Sequence, residues 1–171
     1  MTSTGSMIST LLGEEPIDHE LARWDMHQTQ NDRVIHDIES GFRSLVGFRL
    51  VEWDHDYAVV ELEIGHQHMN RSRVLHGGVI TTLIDCVCGY AGCYCTRPGH
   101  VRKAVTLSLT TSFTGQASTG IIRAIGRKRA GGKKIYVATA EVINDKGEVI
   151  AIGESTQRYR TGSEHPEGVH A

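Results

Sequence analysis

Asp85 is the residue of this sequence whose position most needs a chemical reason. It stands inside a run that includes Val79, Ile80, Leu83, Ile84, Val87, Tyr90, Ala91 and Tyr94, and a carboxylate among such side chains is costly unless it is hydrogen-bonded, paired or used. Eight residues earlier, Gly77 and Gly78 open the same run. If the run is a helix, its first N–H groups are unpaired and carry the positive end of the helix dipole. They suit the negative charge that grows on a carbonyl oxygen under attack, and Gly77 lets a substrate come close. The carboxylate then serves as a base that activates water or as a nucleophile. The plainer readings are a glycine pair that only makes the turn into a helix and an Asp satisfied by hydrogen bonds. Each feature alone would favour the plain reading, and the two together favour chemistry. At 1.5 Å of rise per residue they lie about 12 Å apart along one helix, so a single carbonyl cannot touch both. If both are catalytic, Gly77 of one subunit meets Asp85 of another, and the protein is a homo-oligomer.

The elements that must position these residues follow from periodicity. From Ile17 to Phe42 apolar residues recur at helix spacing behind Pro16, which suits a first helical turn. Two strands are expected next, Val46–Asp54 and Tyr57–Ile64, the second with Val60, Leu62 and Ile64 alternating with Glu61 and Glu63. An irregular stretch, 66–75, leads to the apolar run, which is too densely hydrophobic for a one-sided amphipathic helix and should be buried nearly all round. Four strands are expected after Pro98: Lys103–Phe113, Gly120–Arg129, Lys133–Ile143 and Glu148–Tyr159, read most simply as four consecutive antiparallel neighbours. One antiparallel sheet can wrap around the only helix hydrophobic enough to be enclosed, an α+β arrangement. No repeat or Pro/Ser-rich linker breaks the span 45–159. The expected organisation is a flexible start (1–16), one domain (17–160) with a helical extension over 17–43, and a flexible tail (161–171).

Asn70-Arg71-Ser72-Arg73-Val74-Leu75-His76-Gly77-Gly78, followed by Leu83-Ile84-Asp85, resembles the N-x(5)-H-G-G-x(6)-D signature of PaaI-like thioesterases. The strand from Ala104 into Phe113 and the segment Gly147-Glu148-Val149-Ile150-Ala151 are also similar to that family, so the resemblance covers roughly 45–159. It implies a hotdog fold, an antiparallel sheet of five to six strands around a long central helix, and hydrolysis of an acyl-coenzyme A thioester. Coenzyme A would enter as part of the substrate and no separate cofactor would be needed. It further implies a site built by two protomers of a dimer or tetramer, with Asn70 and Gly77 from one and Asp85 plus the Thr106 hydroxyl from its neighbour. Two residues keep plainer readings beside these: Asn70 as a turn former, and Thr106 as one of a polar strand face with Ser108, Thr110 and Ser112. His76 is a candidate general base, though a role in capping the helix start suits a reaction that relies on a carboxylate. The coenzyme-binding candidates are Gly78 and five cations, Arg127, Lys128, Arg129, Lys133 and Lys134, around the Gly131-Gly132 turn; these could clamp phosphates or merely solvate a hairpin tip. Arg71 and Arg73 are further candidates. Where the family often ends its third strand in Phe-x-x-Pro, Thr114, Gly115 and Gln116 follow Phe113 here. This alters the expected acyl pocket and leaves an aromatic acyl group such as phenylacetyl and a medium straight chain both in view.

Composition sets the remaining expectations. A net charge of -2 does not favour a general nucleic-acid binder. No apolar run is long enough to span a bilayer, and residues 1–15 lack the pattern of a secretory signal, so a cytoplasmic protein is expected. Cys86, Cys88, Cys93 and Cys95 are expected within the helix, pointing to different sides as free buried thiols and not as a metal site. Two other functions compete with the hydrolase: a hotdog hydratase or dehydratase using His76 with Asp85, and a non-catalytic acyl-coenzyme A binder, for which residues 17–42 offer no clear DNA-reading module.

Overall fold

The computed structural model of the chain describes residues 41–171. The helical extension expected over 17–43 and the flexible start at 1–16 thus lie almost wholly outside the described residues. Helix α1 (Gly41–Val46) leads into a hairpin of β1 (Arg49–Asp54) and β2 (Tyr57–Glu63), and a single 3-10 turn (His66–His68) precedes the loop to α2 (Gly77–Gly92). After α2 come β3 (His100–Val101), β4 (Ala104–Phe113), β5 (Ile121–Gly131), β6 (Ile135–Ile143), β7 (Val149–Tyr159) and β8 (Val169–His170).

Six strands form one antiparallel sheet in the order β1-β2-β5-β6-β7-β4. The strands fall where alternation placed them, but β4 does not neighbour β5 as consecutive pairing predicts. It crosses to the far edge and pairs with β7, while β5 pairs with β2. The chain between β2 and β4 contains α2, so the crossing carries the helix over the concave side of the sheet. There α2 packs on β2, β4, β5, β6 and β7.

Two glycines set how close the helix comes. A methyl group at Gly126 would lie 2.6 Å from the Val87 carbonyl oxygen, and one at Gly153 would lie 2.6 Å from Ile84 Cγ2. Ile80, Leu83, Ile84, Val87, Cys88 and Ala91 are buried against the sheet, with Leu62, Ile122, Ala138, Val142 and Ile150 among their neighbours in the core. The helix is fixed at both ends. His76 Nδ1 accepts from the Gly78 N–H at 2.8 Å. At the other end, Trp53 Nε1 donates to Tyr90 O (2.7 Å), and the hydroxyls of Tyr136 and Tyr159 donate to Gly89 O (3.1 Å) and Gly92 O (2.8 Å). These donors satisfy carbonyls that a helix end leaves without intrahelical partners.

Three expectations are corrected. The helix is not buried all round: Val79, Thr82, Asp85, Cys86 and Gly89 are only half-buried. It ends at Gly92, so Cys93 and Cys95 follow it and do not sit on it; all four cysteines are free thiols. The segment 161–171, read as a flexible tail, folds back as turns that bury Ser163 and end in β8, which pairs with β3. Arg97 pairs with Glu167 at 2.7 Å and Cys95 Sγ meets Glu167 O at 3.4 Å. These contacts reach across the fold, so no local pattern in the tail announced them. Among the described residues no helix is long and apolar enough to cross a membrane.

Candidate active site

Asp85 lies two turns into α2 on its half-buried side. The Thr106 hydroxyl donates to Asp85 Oδ1 at 2.7 Å, a short, charge-assisted bond that orients the carboxylate. What aims Thr106 is a bulge in β4: Thr106 pairs with Gln157 and Ser108 with Thr156, leaving Leu107 as the extra residue. Strict alternation put Thr106 on one polar face with Ser108, Thr110 and Ser112. The bulge separates it from them, since beyond Leu107 the helix-facing positions become Leu109, which packs on the core, and Phe113, whose ring meets Gly77. Bulges are a common means of re-aiming one side chain beside a site.

Behind Thr106 stands a pair that the sequence reading missed. Gln157 is 2% exposed and Ser155 0%. Gln157 Oε1 lies 3.2 Å from the Thr106 hydroxyl, and Gln157 Nε2 donates to Ser155 Oγ at 2.7 Å. The Thr106 hydroxyl has one proton, so Asp85 and Gln157 compete for it, and the shorter bond to a charged acceptor wins. Gln157 remains as the acceptor to which the hydroxyl can turn. The available signal was two polar residues at successive inward positions of a buried strand, Ser155 and Gln157 before Tyr159.

At the helix start, His76 N-caps the first turn through Nδ1, the capping role that its position suggested. With the Gly78 N–H taken by His76, the Gly77 N–H is the donor of that turn left for a ligand. The Phe113 ring stands against it: a methyl group at Gly77 would lie 3.1 Å from Phe113 Cζ, and Phe113 itself is 54% exposed. In place of proline, the turn after Phe113 is held by Thr114 and Gly115 N–H groups that both donate to Ile150 O. Asn70 Oδ1 accepts from Ser72 N at 2.8 Å and Val74 N at 3.3 Å, the turn-forming role, which leaves its Nδ2 donors unpaired among the described residues.

A single chain thus joins Asp85 to Thr106 and leaves Gly77 about 12 Å away along α2, with Asn70 in the loop before it. The five cations of the β5–β6 hairpin are at the opposite end of α2 from Gly77, around Tyr136, which meets Gly92. Three are engaged: Arg127 over the Tyr57 ring, Lys128 with Asp56 at 3.0 Å, and Arg129 with Thr139 Oγ1 at 2.7 Å. The thiols near the carboxylate are quiet. Burial, and secondarily the Asp85 charge, pushes Cys86 and Cys88 up to about 12, so both stay protonated at neutral pH.

A six-stranded antiparallel sheet curved over a helix that opens on a glycine pair and carries a carboxylate two turns later defines a hotdog domain. Residues 73–151 match the model of the Thioesterase superfamily, a span containing Gly77, Asp85 and Thr106. The chain is 27% identical over 124 residues to the acyl-coenzyme A thioesterase PaaI of Escherichia coli, across 72% of this chain and 84% of that protein. Among solved structures it is similar to E. coli PaaI, from the phenylacetic acid degradation operon (TM-score 0.66, 20% identity, 79% of this chain and 94% of that one). A thioesterase of Haemophilus influenzae (TM-score 0.67, 19%, 75% and 89%) and a conserved protein of Pseudomonas aeruginosa (TM-score 0.65, 26%, 73% and 98%) share the fold. The chain is thus similar to the thioesterase superfamily over 73–151 and resembles PaaI-like proteins in fold and sequence.

Proposed function

We propose that this protein is an acyl-coenzyme A thioesterase acting on a small or medium acyl group, with Asp85 as its catalytic carboxylate. The observation that carries the reading is the Thr106–Asp85 hydrogen bond of 2.7 Å, which holds a half-buried helical carboxylate within a family fold whose helix start offers a free N–H. In the base route Asp85 takes a proton from water as the water oxygen bonds to the thioester carbonyl carbon. The negative charge on the carbonyl oxygen faces the Gly77 N–H. Collapse then breaks the C–S bond, and the departing thiolate receives the proton, giving free acid and coenzyme A. In the nucleophile route a carboxylate oxygen bonds to that carbon first, the C–S bond breaks to release the thiolate, and water cleaves the resulting anhydride, giving the free acid, restoring the Asp85 carboxylate and supplying the proton that the thiolate takes up.

The 12 Å separation along α2 supports a composite site, with Gly77 and Asn70 of one protomer facing Asp85 and Thr106 of a second copy. The half-buried side of α2, with its small residues Thr82, Cys86 and Gly89, and the open edge of β4, where Leu107 is 51% exposed, are surfaces such a copy would cover. A soluble homodimer or homotetramer in the cytoplasm fits this reading. His76, engaged as a cap, is not free to serve the hydratase alternative.

The test follows free thiol release from aromatic and aliphatic acyl-coenzyme A esters by the wild type and Asp85→Ala, with oligomeric state measured for both. Turnover that collapses in the variant without loss of assembly is expected. No release from any ester, or release that survives the substitution, would overturn the proposal.

A further inference from the structure

Beside the helix start, a cleft of about 770 Å³ is lined by His66, Met69, Asn70, Arg71, Arg73, Ser118 and Thr119. No carboxylate lines it. Arg71 and Arg73 have no ion pair or hydrogen bond among the described residues, whereas Arg49, Arg97, Arg123 and Lys128 all stand within ion-pair distance of a carboxylate. Two free guanidiniums, two hydroxyls and the unpaired Nδ2 of Asn70 make a donor-rich, positively charged recess.

Arg73 adds a second, independent sign. Its backbone is left-handed, with φ of 59°, a conformation that glycine adopts at no cost and a long side chain adopts at a penalty. The loop fixes it there: Asn70 N donates to Val74 O at 2.8 Å, Arg73 N donates to Asn70 O at 3.0 Å, and Asn70 Oδ1 accepts from the N–H groups of Ser72 and Val74. An arginine kept at a glycine-type position, pointing no charge at its own protein, is explained if its guanidinium meets an anion from outside.

We infer that this cleft binds the phosphate groups of the substrate's nucleotide end, with Arg71 and Arg73 as the charged partners and Ser118 and Thr119 as hydroxyl donors. The inference rests on the acyl-coenzyme A reading above for the identity of the phosphate carrier. Arg73 is four residues from Gly77, so the two are no more than about 14 Å apart. Coenzyme A places its pantetheine arm between thioester and diphosphate, so an offset phosphate site on the same side as the oxyanion donor is what it needs. The hairpin cations, mostly engaged and at the other end of α2, are then not the clamp of the protomer that supplies Gly77.

The test is calorimetric titration of the full chain with coenzyme A, dephospho-coenzyme A and pantetheine. Arg73→Gly is expected to weaken coenzyme A binding about tenfold, leave pantetheine affinity unchanged, and keep or raise the melting temperature, because glycine relieves the left-handed strain. Lys133→Ala combined with Lys134→Ala should change coenzyme A affinity less than twofold. An Arg73 effect that vanishes with dephospho-coenzyme A assigns the 3′-phosphate, and one that persists assigns the diphosphate; both uphold the site. Wild-type affinity in Arg73→Gly, an equal loss for pantetheine, a larger loss in the hairpin variant, or no coenzyme A binding by the wild type would each overturn it. Arg73-dependent binding without thiol release from any ester upholds the cleft and overturns the hydrolase reading alone.

Discussion

The two sides of α2 use the same backbone for opposite ends. Toward the sheet, Ile80, Leu83, Ile84, Val87 and Cys88 are buried and set the fold. Away from it, Val79, Thr82, Asp85, Cys86 and Gly89 are half-covered, and the one charged side chain of the helix is held there by a strand hydroxyl. Stability and chemistry are thereby separated by about half a turn of helix, which teaches that a change on one side should leave the other's observable nearly untouched.

The sharpest way to break that comparison is Asp85→Asn, which keeps size and hydrogen bonding. It should cut thiol release by about 10²–10⁴-fold, as loss of a general base does, while a thermal melt stays close to wild type; a large drop in melting temperature would place Asp85 among the fold's supports. The converse is Leu83→Ala, expected to cost about 2–5 kcal/mol in denaturant unfolding with turnover per folded molecule nearly unchanged. The proposed composite site adds a third arm: mixing inactive Asp85→Ala with inactive Gly77→Val, whose new side chain meets Phe113, should restore about a quarter of wild-type activity on random reassortment into dimers. Two silent partners that stay silent would place the whole site in one chain. Gln157→Leu is expected to lower kcat about tenfold and leave KM in place, because it removes the alternative acceptor for the Thr106 proton and not a substrate contact. The smallest effect concerns Cys86: alkylation by iodoacetamide is slow in the wild type and quickens in Asp85→Asn, since removing the neighbouring negative charge lowers the thiol from about 12. The same raised value carries a stability consequence. A thiol that titrates higher folded than unfolded holds its proton longer in the folded state, so its contribution is present below about pH 9 and is lost toward pH 12.

Much of this was legible in the sequence because it is periodic or local. Alternation placed the strands of the large sheet, apolar density placed α2, and Asp85 stood out as a charge in that run. Pairing that crosses the chain was not legible: β4 lies beside β7 and not β5, and the tail docks on β3. The burial of α2 on all sides was over-read, since density of apolar residues does not say whether the cover comes from one chain or two. Thr106 was placed in the right strand but on the wrong face, because a bulge leaves no mark in composition, and Gln157 was missed because a buried amide is noticed only beside its partner. The hairpin cations were conspicuous by number, yet Tyr57, Asp56 and Thr139 occupy three of them.

The bulge at Leu107 also bears on how β4 can change. Treated as a periodic signal, the strand carries a phase slip: its two-residue rhythm before Leu107 and its rhythm after it are out of step by one. Sliding that slip along the strand by a single residue would present leucine to Asp85 in place of a hydroxyl, with length, composition and both ends of the strand preserved. Deleting Leu107 itself would remove the extra residue and leave Thr106 and the stretch from Leu109 to Phe113 on the inner face in plain alternation, whereas inserting a second residue there would force one of the two onto the outer face. In this strand the frame of the sequence is part of the site, so a one-residue insertion in β4 should be far more damaging than most substitutions.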